Sequence, residues 1–197
     1  MFSPCETFRY KLWRTWDASK PACLFLMLNP STADETVNDP TVERCQRYAL
    51  AWGFGGLVVC NIFAFRATVP ADMRAADDPI GPDNDAAILE SAKRCDLIVC
   101  AWGNHGSYLD RAKAVSGMLR AVGAELRVLK ITGDGHPCTS RSCYSRHCGT
   151  AIYHRKRGAP IEAPLSVTLN DTQATSRTYA RCEELHLVRQ NASVLEN

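Results

Sequence analysis

Three short apolar runs in this chain each stop abruptly at polar residues. The runs cover residues 23–28, 57–60 and 97–101, and the first two lead directly into Asn29 and Asn61. The third leads into Trp102-Gly103-Asn104. Short apolar runs bounded by turn-forming residues are typical of strands buried in a parallel sheet. Because ligands bind at the carboxyl ends of such strands, we expect these polar residues to face one crevice.

Helical patterns separate the apolar runs. Asp39 followed by Pro40 predicts a helix start, and apolar residues then recur at helical spacing as far as Trp52. Further helices are predicted at about 83–94 and 107–122, and a fourth strand at 126–131. This order predicts an α/β fold: a three-layer αβα domain with a central, mostly parallel four-stranded sheet.

The first 22 residues mix aromatic and charged side chains. This mixture favours a segment that covers the core. Residues 10–14 alternate in polarity, so an edge strand is the alternative for that stretch. A base-stacking surface is the functional alternative.

No apolar run approaches the roughly 20 residues of a membrane span. The first residues lack the basic and apolar regions of a secretory signal, so we expect a cytoplasmic protein without a membrane partner.

Ten cysteines occur among the 197 residues. In a reducing compartment, cysteines within predicted strands and helices indicate core packing rather than disulfides. These are Cys23, Cys45, Cys60, Cys95 and Cys100.

The character of the chain changes after Pro137. Residues 1–137 contain 15 basic and 16 acidic residues, a net charge of −1, whereas residues 138–197 contain 8 and 5, a net charge of +3. We therefore predict a domain over 1–137 and a divergent, poorly ordered tail over 138–197. The near-neutral charge of the first part weighs against tight binding of duplex DNA.

The sequence predicts no cofactor and no metal. It contains no phosphate-binding or dinucleotide glycine motif and no hydrolase elbow motif. Cys138, Cys143 and Cys148 are each separated by four residues, which matches no common structural zinc pattern. A tail that binds zinc and a partner is the alternative hypothesis for this region.

The loop after the first strand contains Asn29, Pro30, Ser31 and Asp34. These residues also form ordinary turns. The functional interpretation is a loop that places an amide, a hydroxyl and a carboxylate over a ligand.

Asn61 ends the second strand and could read the edge of a base with its amide, or could tie down the next loop. Trp102, Gly103, Asn104 and His105 follow the third strand, where flanking glycines let the backbone approach a ligand. The structural alternative is a tight connection to the next helix. Asp134 and His136 follow the fourth strand in a Gly-Asp-Gly-His-Pro turn.

Taken together, several segments resemble a bacterial and phage family, domain of unknown function 1643. The matching segments are residues 27–34, 39–41, 55–68 and 101–106, and the resemblance spans about 8–137. The family implies no settled activity.

The strand ends are also similar, more distantly, to motifs of the uracil-DNA glycosylase superfamily. The matching residues are Asn29-Pro30-Ser31, Asn61, Trp102-Gly103-Asn104-His105 and His136-Pro137.

That resemblance implies a division of roles within the crevice. Asn29 would position the attacking water with help from Asp34, Asn61 would bind the base edge, and His136 would stabilise charge on the departing base. Six further residues would complete the substrate site: Pro30, Ser31, Trp102, Gly103, Asn104 and His105. The base would be flipped out of a duplex or presented unpaired.

The resulting prediction is a nucleobase-recognising protein that hydrolyses an N-glycosidic bond in DNA or a nucleoside. The alternative is a module that binds a nucleotide or modified base without catalysis. The oligomeric state stays open.

Overall fold

The computed structural model describes residues 1–34 and 36–138. The strands are β1 (Leu12–Thr15), β2 (Ala22–Met27), β3 (Gly56–Asn61), β4 (Leu97–Cys100), β5 (Leu126–Val128), β6 (Lys130–Ile131) and β7 (Pro137–Cys138). The helices are α1 (Pro40–Ala51), α2 (Pro70–Ala75), α3 (Asn84–Arg94) and α4 (Arg111–Ala121), and a 3₁₀ segment spans Asn104–Asp110.

The main sheet has five strands in the order β1-β3-β2-β4-β5. β2, β3, β4 and β5 run parallel, and β1 pairs antiparallel with β3. From β2 the chain passes to β3, its neighbour towards one edge of the sheet. From β4 it passes to β5, the neighbour towards the opposite edge. The point where the direction reverses, between β2 and β4, is where open α/β sheets usually bind ligands.

The α/β class and the mostly parallel sheet confirm the sequence prediction, but the predicted number of four strands is wrong. Residues 12–15 add a fifth strand at the edge. Leu12 is buried and Trp13 is about half exposed, which is the alternation of a strand that faces the core on one side.

Two hydrophobic clusters form because successive side chains of β2 point to opposite faces of the sheet. Cys23, Phe25 and Met27 join a cluster that includes side chains of α1. Leu24 and Leu26 join a second cluster, with side chains of α3 and α4.

Helix α1 begins as the sequence predicts. Asp39 accepts hydrogen bonds from the backbone N–H groups of Thr41 and Val42, both at 2.8 Å, and Pro40 occupies the first helical position. Gly53 follows the helix with a φ of 83°. Because this conformation is unfavourable for other residues, glycine at this position stops the helix and turns the chain towards β3.

Four of the five cysteines predicted to pack in the core are fully buried as small apolar side chains, and Cys95 is partly buried. Cys23, Cys45, Cys60 and Cys100 are buried and free. Burial raises the pKa of the thiols, to about 12 for Cys45 and about 11 for Cys60.

Within residues 1–34 and 36–138, no helix is long and apolar enough to cross a membrane. Cys138 lies in β7 and is buried. The rest of the predicted tail, 139–197, lies outside the described residues, and so does the zinc alternative for Cys143 and Cys148.

Replacing Asp39 with Ala should destabilise the fold by about 1 kcal/mol, because two N–H groups at the start of α1 lose their acceptor. Asp39→Asn keeps an acceptor oxygen and should retain most of the stability. Urea unfolding followed by circular dichroism measures both effects. Equal midpoints for Asp39→Ala and the parent chain would contradict the capping role.

Cys5 should react with thiol reagents at lower pH than the other described cysteines. The side chain of Ser3, whose Oγ lies 3.3 Å from Cys5 Sγ, and then that of Thr7 lower the pKa of the exposed Cys5 thiol to about 7. Alkylation rates mapped by peptide mass spectrometry should rise through pH 7 for Cys5. Buried Cys60 should stay unmodified until the chain unfolds. A Cys5 rate that rises only near pH 9 would contradict the lowered pKa.

Candidate functional site

The carboxyl ends of β2, β3 and β4 are level with one another. Met27 is paired with Asn61, and Leu26 is paired with Cys100. The alignment continues past the strands, because the backbone N–H of Ala101 donates to Leu26 O at 2.7 Å. The polar segments that follow these strands therefore start at one edge of the sheet.

Asn29 lies just beyond β2, and its amide orientation is fixed by the loop that follows β3. Its Nδ2 donates to Ala67 O at 2.6 Å and to Pro30 O at 3.1 Å. The same two loops are joined by Ala67 N and Pro30 O, 3.0 Å apart. Because the NH₂ group makes both of these contacts, the Oδ1 atom remains available as an acceptor. It bonds none of the described residues. An amide oxygen held in this way can accept a hydrogen bond from water or from a ligand N–H.

Asp34 closes the loop that Asn29 opens. Its Oδ1 accepts from Thr36 N at 2.8 Å, Thr36 Oγ1 at 3.1 Å and Val37 N at 2.7 Å. The backbone N–H of Val37, followed by that of Thr36, lowers the pKa of the carboxyl group. The carboxylate is therefore ionised and bound to its own loop, which gives Asp34 a structural task. Its predicted help in water activation stays a prediction.

Asn61 is buried, with 1% of its surface exposed, and it contacts Arg9. Arg9 donates from one terminal nitrogen to Asn61 Oδ1 at 3.3 Å and from the other to Ala33 O at 2.6 Å. Arg9 thus joins the end of β3 to the loop after β2. Asn61 Nδ2 and Arg9 Nε are buried donors without a partner among the described residues.

Burial dominates the electrostatics of Arg9. It lowers the pKa of the guanidinium to about 10, and the charge of Asp39 opposes the shift while that of Arg66 adds to it. Arg9 is 1% exposed and remains charged at neutral pH. A buried cation next to the candidate site attracts groups that carry negative charge or accept hydrogen bonds.

Two further side chains hold the segment that follows β3. Asn84 Nδ2 donates to the carbonyl oxygens of Asn61 and Ile62, at 3.0 and 3.1 Å. Arg111 Nε donates to Ile62 O at 2.7 Å, and its guanidinium pairs with Asp85. These contacts connect the starts of α3 and α4 to the end of β3.

The segment after β4 is held by the β6–β7 hairpin. Gly103 has a φ of 70°, and its N–H donates to Pro137 O at 2.6 Å. The Asn104 amide donates to the Asp134 carboxylate and accepts from Thr132 Oγ1 at 2.6 Å. Asn104 therefore serves chiefly to join the hairpin to the end of β4.

The remaining predicted site residues differ in exposure. His105 is exposed, Trp102 is buried with Nε1 unpartnered among the described residues, and Ser31 and His136 are partly buried. The backbone of His136 exchanges hydrogen bonds with Thr132. Pro30 is buried in the loop after β2.

The structure brings the predicted residues together in two groups. One contains Asn29, Pro30 and Asn61 with Arg9, and the other contains Trp102, Gly103 and Asn104 with the hairpin that carries His136.

The sequence interpretation missed two side chains that hold the strand ends in place, Arg9 and Asn84. A signal existed for Arg9, because it lies between the large aromatic residues Phe8 and Tyr10, of which Tyr10 is buried. A charge in such a position indicates a specific buried partner.

A cavity of about 470 Å³ opens beside the loop after β2. It is lined by Phe2, Glu6, Asp34, Thr36 and Arg66. Arg66 donates to Glu6 O at 3.1 Å, and its guanidinium carbon lies 5.1 Å from the centre of the Phe2 ring. Since the lining carries both signs of charge, the cavity suits a polar ligand.

Within 1–34 and 36–138, no cluster of three His, Cys, Asp or Glu side chains could hold a metal ion.

A family model described as protein of unknown function (DUF1643) matches residues 9–138. No curated protein matches the chain significantly. No solved structure matches it either.

A methyl group at Gly106 should disrupt the segment after β4. A Cβ there would overlap the Trp102 indole, with Cγ only 2.9 Å away. Gly106→Ala should therefore lower the unfolding free energy by about 1–3 kcal/mol.

Gly117 supplies the matched control, because it lies exposed in α4 with open space around its Cα. Gly117→Ala should raise stability by up to about 1 kcal/mol. Thermal and urea unfolding of the two variants measure the contrast. Equal shifts in the same direction would contradict the packing of Trp102 against Gly106.

Proposed function

We propose that this chain, which belongs to the DUF1643 family, recognises a nucleobase-containing ligand at the carboxyl ends of β2 and β4 and hydrolyses its N-glycosidic bond. The single observation that carries the proposal is the fixed amide of Asn29. Its NH₂ group is bound to Ala67 O, which leaves Oδ1 available at the strand end where α/β folds bind ligands.

The arrangement of helices supports a similarity to the uracil-DNA glycosylase fold. Side chains of α1 cluster on one face of the sheet and those of α3 and α4 on the other. We assign this arrangement to the three-layer αβα form of that superfamily. The motifs after β2, β3 and β4 occur in the same order as in those enzymes.

The proposed reaction needs an oriented water more than a strong base. Asn29 Oδ1 accepts a hydrogen bond from the water, whose oxygen forms a bond to the anomeric carbon of the sugar. The glycosidic C–N bond breaks and its electron pair leaves with the base. The water loses a proton to solvent, and the departing base gains one. The products are the free base and a sugar with a hydroxyl at its anomeric carbon.

His136 would stabilise the negative charge that develops on the departing base. It sits between Thr132 and β7, on the hairpin that is bonded to the end of β4. A hydrogen-bond donor held in place at the leaving group typically accounts for a hundredfold or larger rate effect.

A second candidate is binding without hydrolysis, and the contact between Arg9 and Asn61 favours it. Asn61 is buried and its Oδ1 accepts from Arg9, so the acceptor atom that would read a base edge is already engaged and only Nδ2 is left to bind one. In this alternative, Asn29 and the residues after β4 hold the base, and no water is activated.

Base release should fall about a hundredfold or more in Asn29→Ala, because the water loses its acceptor. The substrates are uracil-containing single-stranded and duplex oligonucleotides and free nucleosides, with released base measured by chromatography. Asn29→Ala should also weaken ligand binding only modestly if the residue acts on the water.

Gln46→Ala is the control, because it removes an amide on α1 whose side chain bonds Asn38. It should leave base release unchanged. Binding without release from every substrate would favour the second candidate. Neither binding nor release would overturn both candidates.

A further inference from the structure

A second surface lies on the edge of the sheet, away from the strand ends that form the crevice. It is a groove of about 270 Å³ between β1 and the last turn of α3. Trp13, Lys11 and Thr15 contribute from β1 and the residue before it, and Ser91 and Arg94 from α3. The starts of β2 and β3 form its floor through Ala22 and Leu57, so it lies at the opposite end of the parallel strands.

Trp13 gives this groove an exposed aromatic face. Its side chain is 51% exposed although it belongs to a strand of the main sheet. The ammonium group of Lys11 lies 5.9 Å from the centre of the indole ring. A large flat side chain with a cation beside it is the arrangement on which unpaired bases stack.

The groove carries excess positive charge. Lys11 and Arg94 share one carboxylate, that of Glu90, at 3.2 and 3.3 Å. No acidic residue among the described residues lines the groove, whereas the cationic residues Lys11 and Arg94 do. One carboxylate does not neutralise two cations, so the groove keeps a net positive charge that favours a phosphate group.

Arg14 connects the groove to the candidate site. It lines the groove, and its guanidinium donates to Asp34 O at 2.7 Å and to Asn38 Oδ1 at 3.1 Å. Through Arg14, β1 therefore contacts the loop that carries Asn29. A nucleic-acid strand bound along β1 would lie beside that loop.

We propose that this groove binds a segment of single-stranded nucleic acid, with one base stacked on Trp13 and flanking phosphates near Lys11 and Arg94. The volume of about 270 Å³ lies just below the usual range for ligand pockets, about 300–1,000 Å³, and suits one flat ring. A duplex keeps its bases paired and offers no face to Trp13. The groove binds this strand whether the crevice cleaves its ligand or only binds it.

The test uses the full chain and a fluorescein-labelled oligo(dT) strand, with affinity measured by fluorescence anisotropy. Trp13→Ala should weaken binding about tenfold, and Trp13→Phe should recover most of the affinity, because stacking contributes about 1–3 kcal/mol per base. The same strand annealed to its complement should bind at least tenfold more weakly than the single strand.

The salt dependence tests the cations separately. A Lys11→Ala, Arg94→Ala double variant should reduce the slope of log affinity against log salt by about 0.7 for each phosphate that the protein no longer neutralises. Arg47→Ala is the matched control, because Arg47 forms the same four-residue-spaced helical ion pair, with Glu43, on α1. It should leave both affinity and slope unchanged.

Unchanged affinity in Trp13→Ala, or equal affinity for duplex and single strand, would overturn the proposal. An equal reduction of the slope in Arg47→Ala would also overturn it, because binding would then follow total charge. Trp13→Ala should leave base release from a free nucleoside unchanged, because a nucleoside occupies only the crevice, so failure of the crevice would not mimic failure of the groove.

Discussion

β2 lies between β3 and β4 and forms parallel hydrogen-bonded ladders with both. Its residues from Cys23 to Met27 are all buried, so both faces of the strand depend on the helices that cover them. A slip of one residue in this register would exchange the side chains of the two clusters. The same register makes the strand ends level, and the position of Asn29 relative to the segment after β4 follows from it.

Arg9 adds a polar constraint to this apolar frame. It joins Ala33 O, in the loop after β2, to Asn61 Oδ1, at the end of β3, from a position that is almost wholly buried. A hydrogen bond to a charged group contributes about 1.5–3 kcal/mol, so the contact has enough energy to fix the loop. The unpartnered donors of Arg9 and Asn61 leave capacity for a group that accepts hydrogen bonds.

The sequence located β2, β3 and β4 because strands buried on both faces are continuous apolar runs. It did not identify β1 firmly, since an edge strand alternates and the segment here carries Lys11, Trp13 and Arg14. Helix α4 begins at Arg111 rather than near 107. Leu109 and Asp110 have positive φ angles, a local geometry that hydrophobic periodicity does not encode.

The candidate site was predictable to a similar extent. Asn29 and the segment after β4 lie at strand ends, and polar residues in that position are visible in the sequence. The engagement of Asn61 was not visible, because its partner Arg9 is 52 residues away along the chain. Contacts of such separation depend on the completed sheet and cannot be read from local pattern.

The proposed nucleobase site combines the ends of β2 and β4. Two-dimensional amide NMR of the full chain, titrated with 2′-deoxyuridine and with a uracil-containing single strand, shows whether one ligand contacts both ends. Saturable shifts are expected at Asn29, Gly103 and Asn104 together. Titrations that leave these signals unmoved, or that shift only residues of β1, would contradict the combined site.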